Sequence, residues 1–331
     1  MLIPEFIYHQ LLTTPPLPKS SFAGETIILT GGNRGLGFEA AKHIIRLGVS
    51  KLIIAVRSVT AGEEARTKLL KDNANAHIEI WELDLGKYES VKAFAQRAQT
   101  LSRLDAVLNN AAIAKYNAFE ITEDNETNVT INFVSTFLLI VLLLPKLRES
   151  AEKFNINPRV SIVGSEGMNW VAFTERKSKD GEIFKSLNTN SKTTNMQDRY
   201  FLTKLLVMLC VRELVTRMEN SRNNGSTVQR IIINVPAPGY CATDLAHELK
   251  GSVAVRIFEK VMARAPEPGS RCLVDGIGRG KESHGQYLSE SKIKPTGKFI
   301  RSEEGKEVGG RLWDELVVKL ENIQPGISTN I

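Results

Sequence analysis

Tyr200 and Lys204 stand four residues apart in Asp198-Arg199-Tyr200-Phe201-Leu202-Thr203-Lys204. The residues that follow (Leu205, Leu206, Met208, Leu209, Val211, Leu214) are apolar at helical spacing, so both side chains are expected on one face of a helix over about Met196–Met218. A phenol with an ordinary pKa of about 10 is a poor acid or base near neutrality. An ammonium one turn away favours the phenolate and draws that pKa towards the range where general acid–base catalysis is efficient. Helices are rich in both residue types, so the pair acquires meaning only with the rest of the chain.

A glycine-rich turn, Thr30-Gly31-Gly32-Asn33-Arg34-Gly35-Leu36-Gly37, lies far upstream, between an apolar run (Thr26–Thr30) and an amphipathic one (Leu36–Leu47). A strand that enters such a turn and a helix that leaves it form a pyrophosphate cradle: glycine admits close backbone approach, and the helix N-terminus favours negative charge. Short apolar runs then alternate with helical segments: strands at Leu52–Val56, His77–Leu83, Leu104–Leu108, Val160–Val163 and Ile231–Val235, and helices near Ala61–Lys71, Tyr88–Ala98 and Glu123–Leu144. This alternation implies βαβ units, right-handed crossovers and an α/β fold with a Rossmann-type, doubly wound parallel sheet. One catalytic domain is expected over residues 22–331, behind an N-terminal extension at 1–21. A polar stretch, 169–195, reads as an insertion and 242–268 as a lid; both are expected to be variable substrate segments and mobile. Tyr287–Leu288 reads as an edge strand and Glu304–Leu320 as a final helix.

Composition narrows the classes. The chain has 331 residues, 42% hydrophobic and 24% charged, as in ordinary soluble globular proteins. Its net charge of +6 is scattered rather than gathered in basic runs, which gives no nucleic-acid footprint and suits an anionic cofactor. Cys210, Cys241 and Cys272 form neither a disulfide framework nor a metal-ligand spacing, and the five histidines lack a paired acid. Residues 1–18 lack the pattern of a signal peptide, and Val129–Leu144, interrupted by Asn132, Ser135 and Thr136 and ending at Pro145, reads as a buried helix rather than a membrane span. A cytoplasmic protein is expected.

With these motifs in order, the chain resembles the short-chain dehydrogenase/reductase family over about residues 22–290. Asp84-Leu85 match the family's position beside the adenine ring, and Asn109-Asn110-Ala111-Ala112 its Asn-Asn-Ala-Gly, with Ala112 replacing glycine. Asn132 matches the asparagine that anchors a proton-relay water, Ser165 the catalytic serine, and Pro238, Gly239 and Thr243 the segment that places the nicotinamide. The resemblance therefore implies Ser165, Tyr200, Lys204 and Asn132 as catalytic residues. It further implies cofactor contacts from Gly31, Asn33, Arg34, Gly35, Leu36, Gly37, Arg57, Asp84, Leu85, Asn110, Ala111, Tyr200, Lys204, Pro238, Gly239 and Thr243. Ala55-Val56-Arg57-Ser58, Leu143-Leu144-Pro145-Lys146-Leu147 and the long Ser165–Tyr200 separation are most similar to retinol-dehydrogenase-like enzymes and to fungal reductases of secondary metabolism.

An NAD enzyme of this fold places Asp or Glu about 20 residues past the glycines to bond the ribose 2′-hydroxyl. Here that strand ends at Arg57, and Arg34 lies in the turn itself. Two guanidinium groups suit a 2′-phosphate, so NADP(H) is expected. The expected activity is hydride transfer between nicotinamide and a hydrophobic ketone, aldehyde or secondary alcohol, by a monomer or homodimer. The alternatives are a non-catalytic cofactor-binding scaffold and an enoyl-reductase-like variant. A serine hydrolase is disfavoured, because Gly164-Ser165-Glu166-Gly167 is not a Gly-x-Ser-x-Gly elbow.

Overall fold

In the strands, alternate side chains point to opposite faces of the sheet, and here they sort into two separate cores. Ile28, Ile53, Ala55, Val107, Val160, Ile162, Ile233 and Val235 enter one apolar cluster, while Ile27, Leu29, Leu52, Ile54, Val56, Ala106 and Leu108 enter another. Strands apolar on both sides must be covered on both sides, which is the physical content of a doubly wound sheet. The computed structural model describes residues 3–191, 194–222, 231–243, 245 and 260–331.

The chain begins with α1 (Ile3–Leu12), followed by β1 (Thr26–Thr30), α2 (Gly35–Arg46), β2 (Lys51–Val56), α3 (Val59–Asp72), β3 (Ile78–Glu82), α4 (Tyr88–Gln99) and β4 (Ala106–Asn109). A small hairpin, β5 (Ile121–Thr122) and β6 (Asn125–Glu126), leads into α5 (Thr127–Val129), a π turn (Thr130–Val134) and α6 (Ser135–Phe154). Next come β7 (Arg159–Ile162), α7 (Ile183–Leu187), α8 (Met196–Arg222) and β8 (Ile232–Ala237). The remainder is α9 (Pro266–Gly278), β9 (Tyr287–Ser289), β10 (Lys292–Ile293), α10 (Lys298–Arg301) and α11 (Glu303–Ile323). The strands form one sheet in the order β10-β9-β8-β7-β4-β1-β2-β3, parallel except where β10 pairs with β9. Helices α2 and α9 pack together over one face; α4 with α6, and α8 with α11, cover the other.

Four expectations are corrected. The long helix does not start near Glu123: a hairpin precedes it, and the Glu126 carboxylate caps its first turn by accepting from the amides of Asn128 and Val129. Nor does Pro145 end it, because Leu147 and Ala151 beyond the proline stay buried and Ser150 accepts a hydrogen bond from the Leu104 amide. Thr127–Phe154 is apolar enough by composition to cross a membrane, yet its side chains are mostly buried in this core. Tyr287–Ser289 is interior to the sheet, with β10 as the edge.

Finally, 169–195 is no loose insertion. Phe173, Ile183, Phe184 and Leu187 join the main core, and Phe184 stacks on Phe133 at 5.9 Å. The Glu315 carboxylate accepts from the amides of Ile183 and Phe184 at 3.0 and 2.9 Å. Fully buried Arg199, one residue before Tyr200, pairs with Glu175 at 3.0 Å. The polar sequence hides this packing because its few apolar residues are spaced irregularly. Of the segment 242–268, residues 244 and 246–259 lie outside the described residues, and its last part forms the start of α9.

Candidate active site

The parallel strands β1 and β4 are neighbours whose chains leave in opposite directions around the sheet, and the crevice beyond their C-terminal ends is where ligands bind in such folds. The glycine turn stands at this point. Thr30 fastens it to the end of β4: its hydroxyl donates to Asn109 Oδ1 at 3.1 Å and accepts from the amides of Asn110 and Ala111 at 3.0 and 2.9 Å. The Asn110 carboxamide donates to the carbonyl oxygens of Thr30 and Gly31 at 3.0 and 3.2 Å. Asn110 and Ala111 thus hold the cradle in shape.

The glycines fit a close-approaching phosphate group. Gly31 and Gly35 have φ of +67° and +54°, and a Cβ on Gly37 would stand 2.2 Å from the Gly31 carbonyl oxygen. Gly35 and Leu36 open α2 at the turn, after exposed Arg34 in the N-cap position, with Asn33 before it. Arg57 is exposed at the end of β2, directly before the Ser58 cap of α3. Asp84 accepts from the Gly86 amide at 2.9 Å, which fixes its carboxylate at the end of β3. The Leu85 side chain is buried in the core and its carbonyl accepts from Ser135, so any contribution it makes to the site comes from its backbone. Thr243 comes over the turn from the far side, with its methyl in reach of the Cβ position of Gly35 at 3.7 Å.

Ser165, Tyr200, Lys204 and Asn132 are brought together by bonds among their own elements. Lys204 Nζ donates to the carbonyl oxygen of Val163, two residues before Ser165, at 2.7 Å. Ser165 caps the short 3₁₀ turn Glu166–Asn169, where its Oγ accepts from the Gly167 amide at 3.2 Å. Gly167 has no Cβ because the Phe201 ring occupies that place: a Cβ there would sit 2.2 Å from the ring. Asn132 lies in the π turn, a local widening often found at functional sites. Its Oδ1 accepts from the Ile113 amide, and its Nδ2 donates to the Ile113 carbonyl at 2.8 Å and to Thr203 Oγ1 at 3.2 Å. Thr203 in turn donates to the Tyr200 carbonyl at 2.6 Å. Both amide hydrogens of Asn132 are spent on protein groups, leaving an Oδ1 lone pair and the π-turn backbone to hold a water.

The electrostatics differ from the sequence expectation. Burial pushes the Tyr200 phenol well above its ordinary range, assisted by Tyr116, Glu166 and Cys241. Burial also lowers the Lys204 ammonium from 10.5 to about 8. The ammonium lies 5.6 Å from the centre of the Tyr200 ring while its hydrogen bond goes to Val163, and so it does not pull the phenol down here. Pro238 and Gly239 follow β8 directly, and the Pro238 carbonyl accepts from the Cys241 thiol at 3.5 Å.

Two groups beside the site were not picked out by spacing. Tyr116 packs with Ala114 and Tyr200 in a small apolar cluster that Ala112, Phe201 and Leu245 border, so the alanine in place of the family's glycine puts its methyl against this wall. Glu166, next to Ser165, is buried with its carboxyl pKa raised by burial, and accepts from Ser289 Oγ at 3.1 Å. Thr30 was legible as the first residue of the glycine motif, whereas Tyr116 and Glu166 carry no local signal. Among the described residues no cluster of His, Cys, Asp and Glu could hold a metal ion.

Comparison with known proteins agrees with this geometry. The short chain dehydrogenase family model matches residues 25–196. The short chain dehydrogenase/reductase dmxR8 of Cryptosporiopsis sp. is 38% identical over 98% of this chain and 99% of its own length. The short-chain dehydrogenase anuD of Penicillium roqueforti is 39% identical over 97% of this chain and 84% of its own. Among solved structures, the Pseudomonas aeruginosa RhlG/NADP active-site complex has the same fold, with a TM-score of 0.59 at 21% identity over 81% of this chain and 95% of that one. The chain belongs to the short-chain dehydrogenase/reductase family, oxidoreductases that use a nicotinamide cofactor.

Proposed function

We propose that the protein is an NADP(H)-dependent reductase of hydrophobic ketones or aldehydes, or the corresponding dehydrogenase of secondary alcohols. The observation that carries this reading is the joining of Tyr200, Lys204 and Ser165 through the Lys204–Val163 bond and the Gly167–Phe201 contact, beside a glycine cradle. Nicotinamide, when bound, supplies or accepts the hydride. The side chains bind, orient and balance the proton. Ser165 Oγ is free to turn its proton towards a substrate oxygen while still accepting from Gly167. Tyr200 Oη donates the proton that the oxygen needs on reduction, and burial keeps the phenol protonated beforehand. Offsetting the tyrosinate left behind requires the Lys204 ammonium to turn from the Val163 carbonyl towards the phenol oxygen, and Asn132 stands two hydrogen bonds from the Tyr200 backbone by way of Thr203.

Preference for NADP(H) rests on Arg34 and Arg57, exposed at the turn and at the end of β2, where Arg57 occupies the place at which an NAD enzyme of this fold carries Asp or Glu for the ribose 2′-hydroxyl. The Pseudomonas aeruginosa relative is itself an NADP complex. The apolar wall of Tyr116, Ala114 and Leu245 around Tyr200 supports a hydrophobic substrate, and Trp170, 40% exposed directly after the 3₁₀ turn that Ser165 caps, adds an accessible apolar ring. Phe173, at 1% exposure, is withdrawn into the core and takes no part. The fungal short-chain dehydrogenases it resembles support a role in secondary metabolism; a cytoplasmic monomer or homodimer completes the proposal. NADPH fluorescence and turnover on a panel of ketones and enones test the reading. Ketone reduction supports it; cofactor binding without turnover favours a scaffold, and reduction confined to the C=C bond an enoyl-reductase-like enzyme.

A further inference from the structure

Helix α1 lies outside the span of the family model, yet it is bonded to the segment that follows β8. Gln10, at 6% exposure, spends its whole carboxamide on backbone there. Its Nε2 donates to the carbonyl oxygens of Tyr240 and Met262 at 2.7 and 2.8 Å, and its Oε1 accepts from the Tyr240 amide at 3.0 Å. Tyr240 and Met262 stand near the two ends of the segment that follows β8. Those ends are zipped together: the Ala242 amide donates to the Arg264 carbonyl at 3.0 Å, and the Arg264 amide to the Tyr240 carbonyl at 2.9 Å.

Arg264 returns the contact. Its guanidinium donates to the carbonyl oxygens of His9, Gln10 and Thr13 at 3.2, 3.5 and 3.4 Å, at the C-terminal end of α1 where the helix dipole favours a cation. A buried ion pair with Glu290 at 2.9 Å holds it there. Gly239, with φ of +76°, lets α1 come this close, since a Cβ would lie 2.8 Å from Gln10 Oε1. Further along α1, the Phe6 ring meets Trp170 edge-to-face at 5.3 Å, just past the 3₁₀ turn that Ser165 caps. One helix therefore touches both the segment after Ser165 and the segment after β8.

We propose that α1 is a positioning element of the substrate site, and that Gln10 is the residue through which it acts. By fixing Tyr240 and Met262 relative to each other, Gln10 sets where Thr243 and Leu245 stand against the glycine turn and the Tyr200 wall. A half-made set of buried hydrogen bonds is costly, so the carboxamide enforces one arrangement. Substrate affinity depends on this clasp, and proton transfer from Tyr200 does not. The substrate part rests on the function proposed above.

Gln10→Met keeps the volume and removes all three hydrogen bonds. Two readouts are compared with wild type: hydrogen exchange at the Tyr240 and Arg264 amides without cofactor or substrate, and steady-state kinetics with NADPH and a hydrophobic ketone. The expected result is exchange faster by about ten-fold or more, as for loss of a buried hydrogen bond, with KM for the ketone raised about five-fold or more and kcat held within about three-fold. Gln10→Glu keeps the acceptor for the Tyr240 amide and loses only the donors; it is expected to protect that amide while still raising KM, and it reads the same site should the first variant not fold. Unchanged exchange overturns the proposal, and so does faster exchange with unchanged KM. A wild-type enzyme inactive on every carbonyl compound would refute the proposed function instead, and exchange at Tyr240 would then decide the clasp alone.

Discussion

The Lys204 ammonium shares the inner face of α8 with Tyr200 but reaches past the phenol to donate to the Val163 carbonyl oxygen at 2.7 Å. Its charge is thereby anchored to the end of β7, below the site, rather than on the tyrosine oxygen. Burial leaves the lysine with a pKa of about 8 and the phenol with a raised one. Before cofactor binds, the pair is a protonated phenol beside an ammonium that titrates within the working range.

A pH dependence follows. An anionic cofactor is favoured by protonated Lys204, so the dissociation constant for NADPH should rise as pH increases through about 8, and Lys204→Met should flatten that rise. Stability of the cofactor-free protein should move the other way. The native lysine releases its proton near 8 and the unfolded one near 10.5, so between these values the unfolded chain binds more protons and stability rises with pH. Fluorescence titrations and thermal melts from pH 7 to about 10, with both proteins, check the two signs.

Cofactor choice tests the arginines. A charge-assisted hydrogen bond is worth roughly 1.5–3 kcal/mol, so Arg57→Ala or Arg34→Ala should raise the NADPH dissociation constant about ten-fold or more and leave NADH nearly unchanged. Equal losses for both cofactors, measured by calorimetry, would remove the 2′-phosphate from the explanation.

Gly37→Ala is expected to abolish cofactor binding and to destabilise the protein by roughly 1–3 kcal/mol, because its methyl would stand 2.2 Å from the Gly31 carbonyl oxygen and 2.7 Å from Asn110 Nδ2. Gly310→Ala serves as a control for glycine replacement away from the cradle, where φ is not left-handed and no neighbour lies within 4 Å. Denaturant unfolding together with NADPH binding separates the two effects.

Much of this was legible because the decisive features are local. The unbroken apolar runs in Thr26–Thr30 and Lys51–Val56 report strands buried on both faces, and the glycines at 31, 35 and 37 report a cradle whatever the tertiary packing. Tyr200 and Lys204 declare themselves by helical spacing. What escaped depends on contacts between distant segments. Gln10 looks like any helical glutamine until Tyr240 and Met262 surround it, 230 and 252 residues away. Glu315 explains why 183–187 is helical, and nothing in the polar sequence around 169–195 points to it. The Lys204–Tyr200 pair shows the same limit from the other side: spacing placed both on one face, but the partner of the ammonium was set by β7.

That segment yields a stability prediction opposite to mobility. Phe184 is 7% exposed and stacked on Phe133, so Phe184→Ala should cost roughly 3–5 kcal/mol. The Ile183 and Phe184 amides should be well protected from exchange in the free protein and lose protection in Glu315→Ala. Urea unfolding and exchange mass spectrometry provide the measurements.

The central claim is that Tyr200 gives the proton when a carbonyl group is reduced. Tyr200→Phe removes one oxygen and leaves Lys204, its bond to Val163 and the glycine cradle in place. The direct test is single-turnover oxidation of NADPH by a ketone substrate, with NADPH affinity measured on the same preparation. Affinity should stay within a few-fold of wild type and the rate should fall by about 10²–10⁴, the range that general acid catalysis supplies. A phenylalanine variant that bound NADPH normally and kept most of the wild-type rate would contradict it.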